Sequence, residues 1–262
     1  NKIALLNQLA NVNSSSGTPL LYGLRNAGNY YEVGVTTGLS TIFGSTPNPS
    51  SPILSSTDGG QCQQNFTILM SDGFWNTSNP NIGDKDSDGN TAFDGASYAD
   101  GISHTLADIA MHYYERDLAS SLSDDVPVTA GVDDNDKQHM VTYAVAFGLS
   151  GNASCNPSSK TTSVASQGWP EVCTNPGFSG TGSGWPNPID AEDLDRVDDM
   201  RHAAWNGRGL FLSASSPQTL VNSMTQAISD IGDRAGSAAA VSFNSTSLQT
   251  NTLVYQAKFD SA

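Results

Sequence analysis

The stretch QNFTILMSDGFWN at residues 64–76 indicates the fold more clearly than any other part of this chain. Its segment 65–70 is a short, mostly apolar run, which is typical of a strand buried on both faces, and Ser71-Asp72-Gly73 ends the strand with turn-forming residues. Strands of this kind belong to parallel sheets covered by helices, in which functional residues gather at the carboxyl ends of the strands. Asp72 stands at that position and is therefore the first candidate for a functional residue.

Helical and strand patterns alternate on both sides of this stretch and are separated by long polar loops. The alternation predicts an α/β protein with a doubly wound sheet. The predicted helices lie at 3–10, from residue 20, at about 97–118, at 193–205 and from residue 217, and further strands are predicted at 140–147 and 209–214.

Two of these helices carry signals for their first residues. Ser97 and Asp100 have the spacing of a capping box ahead of the third helix, which we expect to end near Leu118. Ser216 as N-cap and Pro217 as the first helical residue predict the start of the last helix. We expect that helix to pack through an apolar stripe formed by Leu220, Met224, Ile228 and Ile231.

Length and charge exclude several classes of function. The 262 residues suffice for one large domain, and 11 basic against 26 acidic side chains give a formal net charge of −15. Such an acidic chain lacks the positive surface that binds a phosphate backbone or an anionic membrane. No stretch approaches the roughly 18 to 20 apolar residues that span a bilayer. Because helical spacing begins almost at Asn1, we interpret the chain as a piece of a longer polypeptide.

The three cysteines fit neither a zinc nor a redox spacing. Cys155 and Cys173 bracket a segment rich in Gly, Ser and Pro, which favours a surface disulfide closing a long loop and leaves Cys62 without a partner. Three reduced, buried thiols are the alternative. The aromatic residues in and after this loop could contact a partner or pin the loop to the sheet; they are Trp169, Phe178 and Trp185.

The sequence DKDSDGN at 84–90 is a candidate calcium loop. Aspartates at positions 1, 3 and 5 and a glycine at position 6 wrap a short loop around Ca²⁺. The predicted ligands are Asp84, Asp86, Asp88, the backbone carbonyl of Asn90, and Asp94. The pattern departs from the EF-hand at position 12, where Gly95 replaces the usual glutamate, and a solvated acidic loop is the alternative.

Other charged residues give weaker signals. Asp133, Asp134 and Asp136 precede a strand and are predicted to form a turn or N-cap rather than to bind metal. Six acidic residues between 190 and 199 lie at a helix start, where the helix dipole favours carboxylates, and we expect a solvated face. The four histidines form no metal-ligand motif, and no G-x-S-x-G elbow occurs, so we do not expect an enzyme.

Five stretches of the chain resemble the PilY-type family of type IV pilus biogenesis and tip-adhesin proteins. They are QNFTILMSDGFWN (64–76), HTLADIAMHYYERDL (104–118), KQHMVTYAVAFGL (137–149), HAAWNGRGLFLSAS (202–215) and YQAKFDSA (255–262). In addition, Ser-Gly-Thr-Pro-Leu at 16–20, followed by the strand that ends at Asp72, resembles the von Willebrand factor A fold.

The resemblance to that fold implies a metal-ion-dependent adhesion site that holds Mg²⁺. Thr18 matches the threonine of such a site and Asp72 matches its later aspartate. The Asp-x-Ser-x-Ser element of the site is absent, since Ser56 and Asp58 precede no suitable strand. We therefore expect the first strands of the fold to lie upstream of Asn1 or to come from another chain.

The resemblance also implies a domain organisation. It predicts a von Willebrand factor A-like domain at 1–235, with loop insertions at 36–60, 77–100 and 150–190, and a linker at 236–262 that leads toward a β-propeller.

The implied function is that of a non-enzymatic tip adhesin or pilus biogenesis factor. Such a protein is exported through the periplasm, acts at the pilus and cell surface, and has minor pilins and a surface or host receptor as partners. A structural tip element stabilised by calcium, and a generic secreted A-domain binding module, are the alternatives.

Overall fold

The computed structural model of the chain describes residues 17–34, 50–72, 74–76, 79–95, 98–149, 151, 185–189 and 193–238. Its helices are α1 (Leu20–Val33), α2 (Leu106–Glu115), α3 (Asp193–Asn206) and α4 (Pro217–Ala238); its strands are β1 (Asn65–Ser71), β2 (Met140–Phe147) and β3 (Arg208–Ala214); two short 3-10 helices span Ser56–Asp58 and Gly60–Cys62. The predicted helix at 3–10 and the residues Cys155, Cys173, Trp169 and Phe178 lie outside the described residues.

The three strands form a parallel sheet in the order β1-β2-β3. Asn65 pairs with Met140 at the start of β1, and Ser71 pairs with Ala146 at its end. Parallel neighbours require crossover connections, and α2 and α3 lie in the two connections of this sheet. The predicted α/β class is therefore confirmed. None of the described helices combines the length and the apolar character needed to cross a bilayer.

Successive side chains of β2 serve two different cores. Met140 and Ala144 pack with α1, α2 and α3 on one face of the sheet, in the first core. Val141 and Tyr143 pack on the opposite face against α4, in the second core. Because side chains alternate across a strand, a strand that is apolar at successive positions needs helices on both faces. The described part of the chain is thus built in three layers.

Helix α4 packs through a different stripe from the predicted one. Ile228 is 60% exposed, whereas Ala227 is fully buried. Leu220, Met224, Ala227 and Ile231 pack against the second core. The observed spacing of four, three and four residues stays on one face of a helix with 3.6 residues per turn. The predicted spacing has two consecutive steps of four, which rotates Ile228 away from that face. The prediction that Ile228 lies in the core is therefore wrong.

Helix α2 is shorter than predicted at both ends. It begins at Leu106 after Thr105, whose hydroxyl accepts from the Asp108 N–H at 3.1 Å while the Asp108 carboxylate accepts from the Thr105 N–H at 2.8 Å. This capping box replaces the predicted one. Asp100 instead accepts from the Ile102 N–H at 2.7 Å in the preceding turn, and Ser97 lies outside the described residues. The helix ends at Glu115, before the predicted Leu118.

Two isoleucines provide a matched test of this packing. Ile109 is fully buried in the first core, while Ile228 is largely exposed. Ile109→Ala should lower the free energy of unfolding by about 2–5 kcal/mol, because it leaves a cavity. Ile228→Ala should change it by less than about 0.5 kcal/mol. Denaturant unfolding of both variants checks the prediction, and equal losses would contradict the assignment of the two helix faces.

Candidate metal centre

The loop before α2, here called the acidic loop, is described at residues 79–95 and 98–105; it carries the predicted calcium ligands and is bound to the domain at several points. Nδ1 of His104 accepts from the N–H groups of Ile82 at 3.2 Å and Gly83 at 2.8 Å. The Asp108 carboxylate of α2 accepts from the Lys85 N–H at 2.7 Å. These bonds fix the first half of the loop over the amino end of α2.

The structure divides the acidic side chains of this region between two clusters. In each cluster, one carboxylate oxygen per residue lies within 4.8 Å of the others. The inner cluster consists of Asp84, Asp86 and Asp108, and the outer cluster consists of Asp88, Asp94 and Glu115. The four predicted aspartate ligands therefore fall into two clusters, which Asp108 and Glu115 of α2 complete.

Sequence reasoning missed Asp108 and Glu115 because both lie outside the acidic loop. They are seven residues apart, which places them on the same face of a helix two turns from each other. That spacing was the available signal. It could not by itself indicate that the loop folds back along this face of α2.

The outer cluster is linked by side chains that carry further oxygen atoms. Nδ2 of Asn90 donates to Asp88 at 3.0 Å and, at 3.4 Å, to Glu115. The Thr91 hydroxyl donates to Glu115 at 3.1 Å. The Lys85 ammonium pairs with Asp88 at 2.6 Å. The amide nitrogen of Asn90 and the hydroxyl oxygen of Thr91 thus lie beside the carboxylates of the outer cluster.

Electrostatics in the outer cluster favour a bound cation. Burial, with the nearby Asp94 carboxylate, raises the pKa of Glu115 to about 7. The bond to Asp88 raises the pKa of Lys85. Burial opposes ionisation of Asp88, but its hydrogen bonds from Lys85 and Asn90 outweigh burial and lower its pKa. Carboxylates beside neutral oxygen atoms are the ligands that Ca²⁺ prefers.

The inner cluster is already occupied by hydrogen-bond donors of the protein. Asp84 accepts from the N–H and hydroxyl of Ser87, the former at 3.0 Å. Asp86 accepts from Nδ2 of Asn206 at 2.9 Å and from the Asp100 N–H at 3.3 Å. Burial raises the pKa of Asp86 to about 7, and burial with the nearby Asp86 charge raises that of Asp108 to about 8. These carboxylates hold the loop in shape.

His202 of α3 lies beneath the inner cluster and is almost fully buried. Its Nε2 is 3.4 Å from Asp86 Oδ2, and its Nδ1 is 3.5 Å from Asp100 Oδ2. Burial opposes protonation of the ring, but the bond to Asp100 and the charge of Asp86 outweigh it and raise the pKa of His202 to about 9. Trp185 stacks on the same ring, with centroids 4.1 Å apart and planes at 9°. Trp185 therefore pins its segment to the domain.

Thr18 lies just before α1, and Asp72 directly follows β1. The Thr18 carbonyl accepts from the Asn76 N–H at 3.0 Å, which joins the start of α1 to the segment after β1. Asp72 is exposed and accepts from the Ser71 hydroxyl at 3.1 Å. Within the described ranges, no group of three or more possible metal ligands includes Asp72.

The solvated face predicted at the start of α3 is confirmed for Asp193, which is exposed, and is wrong for Asp198 and Asp199; Asp195 is half-buried, and Asp190 and Glu192 lie outside the described residues. Asp198 and Asp199 are buried. Asp199 accepts from the N–H groups of Leu106 at 2.9 Å and Ala107 at 3.1 Å, at the first turn of α2. For Asp199 the prediction fails because the N–H groups that this carboxylate satisfies belong to another helix.

The acidic segment before β2 combines a turn with a buried ion pair. Asp134 accepts from the Gly131 N–H at 2.9 Å, which confirms its turn role. Asp133 is buried and lies 3.2 Å from both Nε2 of His139 and Nη1 of Arg234. The bond to Arg234 ties α4 to the domain. Cys62 is exposed and unpaired among the residues that the structure describes.

Comparison with curated proteins identifies relatives along almost the whole chain. It is 29% identical over 291 residues to the type IV pilus biogenesis factor PilY1 of Pseudomonas aeruginosa strain PAK, and equally to that of strain PAO1, with 99% of this chain covered. It is 30% identical over 253 residues to PilY1 of strain UCBPP-PA14, with 89% covered. The chain spans only about a fifth of these relatives, 23%, 23% and 20% of their lengths. No protein-family model and no solved structure matches it.

The buried ionisable groups predict how stability depends on pH in the absence of divalent ions. Burial raises the pKa of four carboxyls to about 7 or 8, well above their ordinary range; they are Asp86, Asp108, Glu115 and Asp199. They bind protons more tightly when folded, so their contribution to stability is lost as the pH rises through 7 to 8. The pKa of His202 is raised to about 9, so its contribution to stability is also lost as the pH rises.

In chelator, the melting temperature should therefore fall between about pH 6.5 and 8.5, as measured by calorimetry. Burial lowers the pKa of His112 to about 4, so its contribution to stability is lost as the pH falls below about 6.5. The interval starts at that pH so that His112 does not affect the result. A melting temperature that stays level or rises across this interval would contradict the described charge environment.

Proposed function

The chain belongs by sequence to the PilY-type family of type IV pilus biogenesis proteins, and on that basis we propose that it is a non-enzymatic module of a pilus biogenesis factor that supports attachment and pilus extension. The observation that carries the proposal is the identity of 29–30% to PilY1 along 89–99% of the chain. The proposed setting is the pilus and cell surface, reached through the periplasm, with minor pilins and a surface or host receptor as partners.

The proposed architecture is a von Willebrand factor A-like region at 1–235, followed by a linker at 236–262. The sequential parallel order β1-β2-β3, with helices on both faces, is the arrangement of one half of a doubly wound sheet. Thr18, ahead of α1, and the exposed Asp72, after β1, support the proposal of an adhesion site at this edge of the sheet. Mg²⁺ is the proposed ion there.

We assign Ca²⁺ to the outer cluster. Asp88, Asp94 and Glu115 provide three carboxylates, and Asn90 and Thr91 provide neutral oxygens after a change of side-chain rotamer. The sequence pattern lacks a glutamate at position 12, and Glu115 of α2 supplies the missing closing carboxylate from outside the loop. In this assignment Asp84 and Asp86 shape the loop, and the ion joins the loop to α2.

The Lys85 ammonium pairs with Asp88, one of the carboxylates that would bind the ion. It lies 2.6 Å from Asp88, and the charges of Asp88, Glu115 and Asp108 all raise its pKa. Its side chain is partly exposed, so it can move into solvent when an ion binds. Lys85 is thus the competing cation of the outer cluster.

A second candidate function is that of a structural tip element. The observation that favours it is the position of the outer cluster, whose Glu115 lies on α2, a helix packed in the first core. An ion there stiffens the loop and does not require a receptor. In the adhesin function, by contrast, a partner carboxylate binds the ion at Asp72.

The two functions are separable in the full-length polypeptide that carries this chain. Asp72→Ala should abolish attachment of piliated cells to a surface and leave the number of pili unchanged, as counted by electron microscopy. Glu115→Gln should leave attachment intact in calcium and lower the melting temperature of the protein. Loss of pili in both variants would support the structural function, and unchanged attachment in Asp72→Ala would exclude the adhesin function.

Calorimetric titration of the 262-residue chain with calcium tests the ion assignment. Glu115→Gln should weaken calcium binding by more than about tenfold, because loss of even an indirect metal contact costs about 10–100-fold. Lys85→Met should strengthen it by up to about fivefold, since an exposed ion pair contributes at most about 1 kcal/mol.

The control is Asp124→Asn, which removes an exposed carboxylate elsewhere on the surface. It should leave the calcium affinity unchanged. Equal weakening in Glu115→Gln and Asp124→Asn would mean that calcium responds to overall charge and not to the outer cluster.

A further inference from the structure

We infer that His202 is a positioning residue for the acidic loop: its ring holds Asp86 and Asp100 from beneath, under a cover formed by Trp185, so that the loop is folded before any ion binds. The consequence for calcium affinity rests on the proposed function of the outer cluster. The folding of the loop does not depend on it.

Asp86 is the point from which the outer cluster is placed. Its side chain turns inward to Asn206 and His202, while Asp88, two residues later, belongs to the outer cluster. Its backbone carbonyl accepts from the Gly95 N–H at 3.0 Å, which fixes the residue after Asp94. Holding Asp86 therefore fixes both loop carboxylates that accompany Glu115.

The ring of His202 is surrounded by acceptors on both edges. Nε2 faces Asp86 and the Tyr98 carbonyl, and Nδ1 faces Asp100. Only the doubly protonated ring offers a donor on each side. The charged ring thus joins residues of the loop that are fourteen positions apart, Asp86 and Asp100, to helix α3.

Trp185 completes the arrangement from a separate part of the chain. Its ring is 2% exposed and lies parallel to the ring of His202 at a centroid distance of 4.1 Å. A cation against an indole face is stabilised electrostatically, and exclusion of water strengthens the bonds of the ring to Asp86 and Asp100. His202 therefore contacts both the described segment 185–189, through Trp185, and the acidic loop, through Asp86 and Asp100.

The loop contains its own protease probe, because trypsin cleaves after Lys85, a partly exposed residue. In chelator, wild-type chain should resist cleavage at this bond. His202→Gln should be cleaved there about tenfold faster and should bind calcium about tenfold more weakly, the loss typical of a residue that orients metal ligands. Mass spectrometry identifies the cut, and calorimetry measures the affinity.

His139→Gln is the matched control, since His139 is equally buried and also pairs with a carboxylate, that of Asp133. It should lower the melting temperature but leave cleavage after Lys85 and calcium affinity unchanged. Trp185→Leu keeps the bonds of His202 and should accelerate cleavage less than His202→Gln does. This variant provides the test if His202→Gln does not fold.

The outcomes separate this inference from the proposed calcium site. Wild-type protection in His202→Gln or in Trp185→Leu would overturn the inference. If the wild-type chain binds no calcium and His202→Gln is nevertheless cleaved faster than wild type, the ion site is excluded and the positioning role is supported. Glu115→Gln should lose affinity and keep its protection, and rapid cleavage of that variant would overturn the view that the loop folds before ion binding.

Discussion

Buried carboxylates at the amino end of α2 determine how the acidic loop, α2 and α3 fit together. A helix start leaves N–H groups without partners and carries partial positive charge, so negative groups are stabilised there. Asp199 of α3 accepts from Leu106 and Ala107, while Asp108 closes the capping box with Thr105. The same Asp108 carboxylate accepts from Lys85 and thereby sets where the acidic loop crosses the helix.

This constraint concentrates negative charge in a small volume and thereby creates the need for positive charge. Inside the domain the His202 ring meets that need, between Asp86 and Asp100. At the surface Lys85 meets it only partly, since its partly exposed ammonium pairs with Asp88, one of three carboxylates that gather there. In the proposed assignment, an ion at the outer cluster completes the balance. The proposed module is thus an α/β domain whose acidic loop is folded against α2 and α3 and carries the proposed ion site at its surface.

The sequence predicts those parts of the fold that depend on local periodicity. Strands β1 and β2 and helix α3 were predicted within two residues because their apolar runs are unambiguous. On α4 the predicted apolar stripe includes Ile228, whereas the neighbouring Ala227 is the buried residue, because a four-residue step fits the helical turn only approximately. The site is less predictable. The pattern 84–94 locates the acidic loop, but Glu115 lies beyond it, and Asp199 meets Leu106 from 93 positions away, which no local pattern reports.

Diffraction from crystals of the 262-residue chain grown in calcium, with anomalous data, tests the account most directly. The account predicts one anomalous peak in the outer cluster, at about 2.3–2.6 Å from carboxylate oxygens of Asp88, Asp94 and Glu115, with the Lys85 side chain displaced. Asp86 should keep its bonds to His202 and Asn206. A peak coordinated by Asp86 in the inner cluster, or an outer cluster that still holds Lys85 and no ion, would contradict it.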